Sequence, residues 1–310
     1  MRKPAGNINM AEVALRAVEQ HEEKLKRTFP NIRHVSNAVH DLNRKKSHVV
    51  AIYLTDNNTS YIPEKLKVEM PDLSFATIAT EIVKGAGKGT IQLSQQETEA
   101  SDSVNPDYSG SICCAVRSTE DPDFMGLVTS AHILTQGYYD ESNNDIPNPP
   151  IASTAFVDGN AAGTWYYKLL SYNQDLAVIK LDEKQALSGS YKSFSDQYYA
   201  VSDMDVKTSQ PNVTIISKGN RIRDAYILDY GVGTDVEYKA GPVYKKNIIL
   251  IGSTNDRTTA TPVSQPGDSG SCVFKKNTGQ LIGILLGSDE MFTFVLPVNK
   301  TLQSQNLKTV

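Results

Sequence analysis

The chain is 310 residues long, 39% hydrophobic and 21% charged, with a formal net charge of −4. That length admits two units, each with enough apolar residues to bury a core. A slightly acidic balance without a long basic stretch argues against a nucleic-acid partner, and no apolar run approaches the roughly 20 residues of a membrane span.

In chain order, the first signal is an amphipathic helix over residues 10–29. Apolar Ala14, Val18, Leu25 and Phe29 recur at helical spacing, with Glu19, Glu22, Glu23, Lys24 and Lys26 between them. Residues 49–54 and 75–83 are strand-like, and residues 62–66 read as a short helix start. Residues 1–92 are therefore read as a helix plus a small α/β module. Gly85-Ala86-Gly87-Lys88-Gly89-Thr90 looks like part of a phosphate-binding loop, but the Walker pattern needs a further glycine where this chain has Ile82. A flexible hinge is the better reading, and residues 93–108 form a polar linker. Between residues 109 and 300 short apolar runs are cut by turn residues such as Asp158-Gly159-Asn160 and Ser217-Lys218-Gly219-Asn220, the spacing of an all-β sandwich or barrel. A polar divide is expected within residues 188–210.

Chemistry is concentrated in three short motifs. Gln265-Pro266-Gly267-Asp268-Ser269-Gly270-Ser271 sets a serine in a glycine-rich turn. Such a turn can expose the hydroxyl and converge two backbone N–H groups, giving a nucleophile and an oxyanion hole in one loop. Taken alone it is also simply a good turn sequence. A serine needs a base, and His132 is the one histidine after residue 100; it follows the apolar stretch Gly126-Leu127-Val128-Thr129-Ser130-Ala131. A histidine beside apolar residues is often a satisfied core residue. Asp175 opens the apolar run Leu176-Ala177-Val178-Ile179. A carboxylate there is costly to bury unless hydrogen-bonded, and an imidazole N–H would satisfy it and set the tautomer; an Asx turn is the plainer alternative.

Thr129-Ser130-Ala131-His132, Asp175-Leu176-Ala177-Val178 and Gly267-Asp268-Ser269-Gly270 together resemble the catalytic motifs of chymotrypsin-like (trypsin-like) serine proteases, in that family's chain order. Residues 281–288 resemble the strand lining the specificity pocket, and residues 294–298 the last strand before a closing helix. The resemblance implies a mainly β fold with two six-stranded antiparallel β-barrels, about 109–190 and 211–300, in a protease domain spanning 109–310 after the α/β module. It implies Ser269 as nucleophile, His132 as base, Asp175 as its orienting acid, and the N–H groups of Gly267 and Ser269 as the oxyanion hole. Val263, Ser264, Leu286, Ser288 and Thr293 would form the substrate pocket. With no acid at Val263, a small or medium apolar side chain is expected before the scissile bond. The short loop after Ser288 could bring Asp289 or Glu290 to the rim.

Several departures from the family pattern carry expectations of their own. No Ile-Val-Gly-Gly activation start is present, so Asp268 needs a partner other than a freed amine. Leu285 stands where the family usually has a serine supporting the acid of the triad. The odd cysteine count, with Cys113, Cys114 and Cys272 distant from His132, argues against a disulfide framework. The polar start lacks a signal-peptide core. A reducing, cytoplasmic compartment is expected, and the N-terminal module looks, more loosely, like that of some bacterial cytosolic trypsin-like peptidases. No cofactor and no metal are implied. The expected function is a serine endopeptidase acting on protein or peptide substrates, regulated by its N-terminal module or by a protein partner bound there. The alternatives are a non-catalytic protein-binding module on a protease scaffold and an acyl hydrolase or esterase.

Overall fold

A computed structural model describes residues 9–42, 45–56, 59, 61–84, 89–91, 100–102, 105–134, 154–157, 160–171, 173–182, 195–202, 204–206, 208–217, 221–238 and 241–310. The glycine run 85–88, the linker stretch 92–99, the turn glycines Gly159 and Gly219, and residues 188–194 of the expected divide lie outside these residues.

Helix α1 (Met10–Thr28) matches the 3.6-residue pattern. The Asn9 side chain accepts the Ala11 N–H at 3.1 Å as an N-cap. Val13, Ala14, Ala17, Val18 and Leu25 form its buried face. Strands β1 (Ile32–Leu42), β2 (Lys45–Leu54), β3 (Lys65–Glu69) and β4 (Phe75–Lys84) follow. The helix start expected at residues 62–66 is corrected: Leu66 and Val68 alternate with exposed Lys65, Lys67 and Glu69, and the segment pairs antiparallel with β4. Residues 62–64 are in no regular element, and from Lys65 the period is two, so the chain enters a strand there. Strand β2 explains the uninterrupted apolar run at 49–54. Val50, Ile52 and Leu54 pack with the helix, while Val49, Ala51 and Tyr53 join the core on the opposite face. A strand buried on both faces has no polar side to reveal its period.

The glycine stretch read as a hinge leads into β5 (Gly89–Ile91), and the stretch read as linker supplies β6 (Ala100–Asp102) and most of β7 (Asn105–Gly110). Next come β8 (Cys114–Ser118), β9 (Met125–Thr129), α2 (Ala131–Leu134), β10 (Thr154–Val157), β11 (Asn160–Ser171) and β12 (Gln174–Leu181). The remainder is β13 (Ser195–Tyr198), β14 (Val213–Ser217), β15 (Arg221–Tyr238), β16 (Gly241–Gly252), β17 (Cys272–Lys275), β18 (Gln280–Ser288), β19 (Thr293–Pro297), α3 (Asn299–Ser304) and β20 (Leu307–Thr309). The molecule is mainly β.

Six strands close into the expected second barrel. They run β14-β17-β18-β19-β16-β15, and β15 pairs back to β14. Closure leaves no free edge within the ring. The other sheet, expected with six strands, joins eight among the described residues, in the order β20-β8-β9-β12-β11-β10-β6-β7. The linker strands and the chain end extend it, covering backbone N–H and C=O groups that an edge would leave unpaired. The N-terminal module continues the second barrel: β1 pairs with the long β15, Val35 opposite Gly233. Ala38, Val49, Ala51, Tyr53 and Val83 of the module share a core cluster with Phe292 and Phe294 of the barrel.

Candidate active site

His132 sits in the single turn of α2, directly after β9, and Asp175 is the second residue of β12. Strands β9 and β12 are antiparallel neighbours with Ala177 opposite Thr129, which puts the two side chains at one end of the sheet. Both are buried. His132 Nδ1 lies 2.7 Å from Asp175 Oδ2, and the His132 backbone N–H donates to Oδ1 at 2.9 Å. Tyr238, the last residue of β15, donates its hydroxyl to Oδ2 at 2.7 Å. Its ring stands edge-on to the imidazole, with centroids 5.9 Å apart.

Burial works against the Asp175 carboxylate. The charge and hydrogen bond of His132, the Lys245 ammonium and the Tyr238 hydroxyl outweigh it and hold its pKa down to about 2. Asp175 is therefore ionised and only accepts, so Nδ1 carries a ring proton and Nε2 is the ring nitrogen the carboxylate does not engage. Lys245 is fully buried and donates to the carbonyls of Ser171 at 2.7 Å and Gln174 at 3.1 Å, pinning the entry to β12. Desolvation lowers its pKa to about 8 against the opposing pull of Asp175. Tyr238 reaches Asp175 by a hydrogen bond and Lys245 by its charge, and neither was found from the sequence. Both lie more than sixty residues from Asp175 on the other barrel, and no local spacing marks them.

Ser269 lies in the turn before β17, with Gly267 at φ 91 and Gly270 at φ 87. Those values favour glycine, and a Cβ on Gly270 would also overlap the Ser111 carbonyl. The turn is stitched to the other sheet: Ser111 N–H donates to Ser269 O at 2.7 Å, and Ser111 Oγ to Gly267 O at 2.9 Å. Ser130, two residues before His132, donates to Leu285 O at 3.4 Å. The structure thus brings the histidine and serine motifs to one seam between the sheets. One expectation is corrected. The Ser269 hydroxyl is buried, not exposed, and it donates to the Leu286 carbonyl at 3.0 Å.

Asp268, buried beside the serine, finds its partners in two arginines of β15. Arg223 lies 2.7 Å from Oδ2, Arg221 lies 3.1 Å from Oδ1, and the Gln265 N–H donates to Oδ2 at 2.8 Å. Arg223 also donates to Val263 O and Ser217 Oγ, each at 2.7 Å. The two arginines alternate on one strand and so share a face, a signal visible in Arg221-Ile222-Arg223 only once the strand is known.

Four of the five residues expected in the pocket meet directly. Thr293 Oγ1 accepts the N–H groups of Val263 and Ser264, both at 3.0 Å, and Ser288 pairs with Thr293 across β18 and β19. Leu286 belongs to the same strand as Ser288 and holds the serine hydroxyl. Asp289 is not at a rim. It is buried, lies 3.0 Å from His34 Nε2, and accepts the N–H groups of Met291 and Phe292 at 2.8 and 2.6 Å. Among the described residues no three His, Cys, Asp or Glu side chains converge as metal ligands, and Cys113, Cys114 and Cys272 are buried free thiols.

No protein-family model and no curated protein sequence matches the chain. Solved structures similar to it include a Nocardiopsis protease, 17% identical, covering 64% of this chain and 90% of its own, with a TM-score of 0.42. A glutamic-acid-specific serine protease with a histidine triad in substrate binding is 18% identical over 65% of this chain and 98% of its own, at a TM-score of 0.42. A Cellulomonas bogoriensis chymotrypsin is 16% identical over 69% of this chain and 96% of its own, at a TM-score of 0.41.

Proposed function

We propose that the chain is a serine endopeptidase. The observation that carries this reading is the array on Asp175, where three donors fix an ionised carboxylate against His132 Nδ1 and leave Nε2 as the base. In the reaction the Ser269 hydroxyl turns from Leu286 O toward His132 Nε2, which takes its proton as Oγ attacks the peptide carbonyl. Asp175 then stabilises the imidazolium, and the N–H groups of Gly267 and Ser269 receive the oxyanion. The imidazolium returns its proton to the leaving amine, and water releases the acyl group by the same base. Arg221 and Arg223 hold Asp268 without a freed chain start, so the nucleophile turn is ordered in the uncut chain. Val263, Ser264, Leu286, Ser288 and Thr293 are assigned to the pocket for a small or medium apolar side chain. The N-terminal module regulates this site.

The test is labelling with a fluorophosphonate, followed by hydrolysis of a peptide library. Ser269→Ala is expected to abolish labelling and to cut turnover by about 10⁶-fold, His132→Ala to cost nearly as much, and the double variant to be no worse than either. Comparable turnover by Ser269→Ala sinks the assignment. A properly folded chain that takes no label is the non-catalytic binding module instead. Labelling with ester but no peptide hydrolysis makes it an esterase.

A further inference from the structure

Strand β5 occupies a position that none of the chemistry above uses. Its backbone pairs on two sides at once. On one side it runs antiparallel to β18, Thr90 opposite Ser288 and Ile91 opposite Gly287. On the other it runs parallel to β15, Gly89 opposite Val236 and Thr90 opposite Glu237. Both partner strands lead into the active site. The residue after Glu237 is Tyr238, which donates to Asp175, and the residue before Gly287 is Leu286, whose carbonyl holds the Ser269 hydroxyl. As β5 advances from Thr90 to Ile91 its partner on β18 steps from Ser288 to Gly287, so the chain runs toward the nucleophile. Main-chain pairing of this kind is indifferent to side chains, which is how an extended peptide docks on a sheet edge.

We propose that β5 is a displaceable strand, filling in cis the groove along Gly287 and Ser288 that an extended peptide must use to reach Ser269. The proposal rests on the endopeptidase reading and names the regulation of that site. Three residues of pairing are a weak hold by themselves. Tethered in the same chain, they act at an effective concentration of about a millimolar, which is enough to keep a groove mostly filled. The Ser269 hydroxyl rests on the carbonyl of Leu286, the neighbour of the Gly287 that β5 covers. Whatever draws β5 out of the groove, an extended peptide segment foremost, opens the site.

The experiment uses the full-length chain and its Thr90→Pro variant, in which a backbone donor is lost and the strand cannot pair regularly. Fluorophosphonate labelling of Ser269 and hydrolysis of labelled casein are followed, with thermal melts of both chains. A groove held nine-tenths filled or better gives roughly tenfold faster labelling once freed, with a lower KM for casein and little change in kcat. Thr90→Gly, which weakens the strand without removing a donor, should lie between. Equal labelling rates in stably folded chains overturn the proposal and leave the endopeptidase reading intact. Slower labelling with an unchanged melt overturns it too, because β5 then completes the site instead of filling it. If neither chain takes label or cleaves casein, the endopeptidase reading fails and the proposal falls with it. Should Thr90→Pro unfold, Thr90→Gly decides on the same readouts.

Discussion

Tyr238 is the residue on which the candidate site most depends after the proposed triad. Its hydroxyl is one of three donors to a buried carboxylate, and a hydrogen bond to a charged group contributes about 1.5–3 kcal/mol. Tyr238→Phe keeps the ring against His132 and removes only that donor, so turnover should fall by roughly tenfold or more while the melt changes little. Asp175 also leaves a signature in acid. Its folded pKa lies below the ordinary 3.8, so it stabilises the fold above that pH, and the contribution is lost as pH falls toward about 2. In Tyr238→Phe that loss should begin at higher pH in urea titrations. Lys245 behaves in the opposite window. The folded chain releases its proton at about 8 while the unfolded chain holds it to 10.5, so stability should rise with pH between those values. Lys245→Met should flatten the rise, and an unchanged slope would remove Lys245 as its origin.

At the scale of elements, β1 shows why a strand went unread. Arg33, His34, Val35 and Ser36 are all buried, because one face meets α1 and the other meets the barrel. Polar residues in a buried strand look like a loop until their partners are seen: His34 with Asp289, and Ser36 with Asp229, which also accepts the Tyr53 hydroxyl at 2.7 Å. Burial, opposed by Asp289 and aided by Lys26 and Arg33, lowers the His34 pKa below its ordinary 6.5. The unfolded chain therefore binds a proton that the folded chain refuses, and this stability is lost as pH falls below about 6.5. Mild acid should raise hydrogen exchange at the Met291 and Phe292 amides, which Asp289 holds. His34→Gln keeps a donor for Asp289 and should abolish that pH dependence. The same element logic applies to β15, where Arg223→Gln strips a partner from buried Asp268. Asp268 keeps Arg221 and the Gln265 N–H but loses a charge partner, which should appear as a lower melt together with slower labelling of Ser269.

At the scale of the molecule, module and barrel are one β-system. The core runs from Val49, Ala51 and Tyr53 into Phe292 and Phe294, with Tyr53 and Phe292 packed edge-on at 5.5 Å between centroids. Arg257 reaches back across the same junction to Glu81 at 3.4 Å. A chain beginning near Glu97 would uncover those aromatic faces and the β1 side of β15. It should melt well below the full chain and aggregate, instead of yielding a freed, stable protease domain. The full chain should lose the module and the second barrel in one calorimetric transition; two separate transitions would contradict the shared core.

What the amino-acid sequence determined by itself was local. The helix at residues 10–28 follows from its 3.6-residue apolar period, β2 and β4 from their apolar runs, and the turn around Ser269 from glycines whose φ values few other residues adopt. The three motifs were legible because each joins a reactive residue type to an element end that its neighbours dictate. What only the tertiary structure decided was everything that depends on distant pairing. The partners of Asp268, the support of Asp175 by Tyr238 and Lys245, the burial of Asp289 against His34, and the pairing of β5 with β15 and β18 all join residues far apart in the chain. Periodicity reports which face of an element is apolar, whereas these contacts depend on which elements the closed barrel sets side by side.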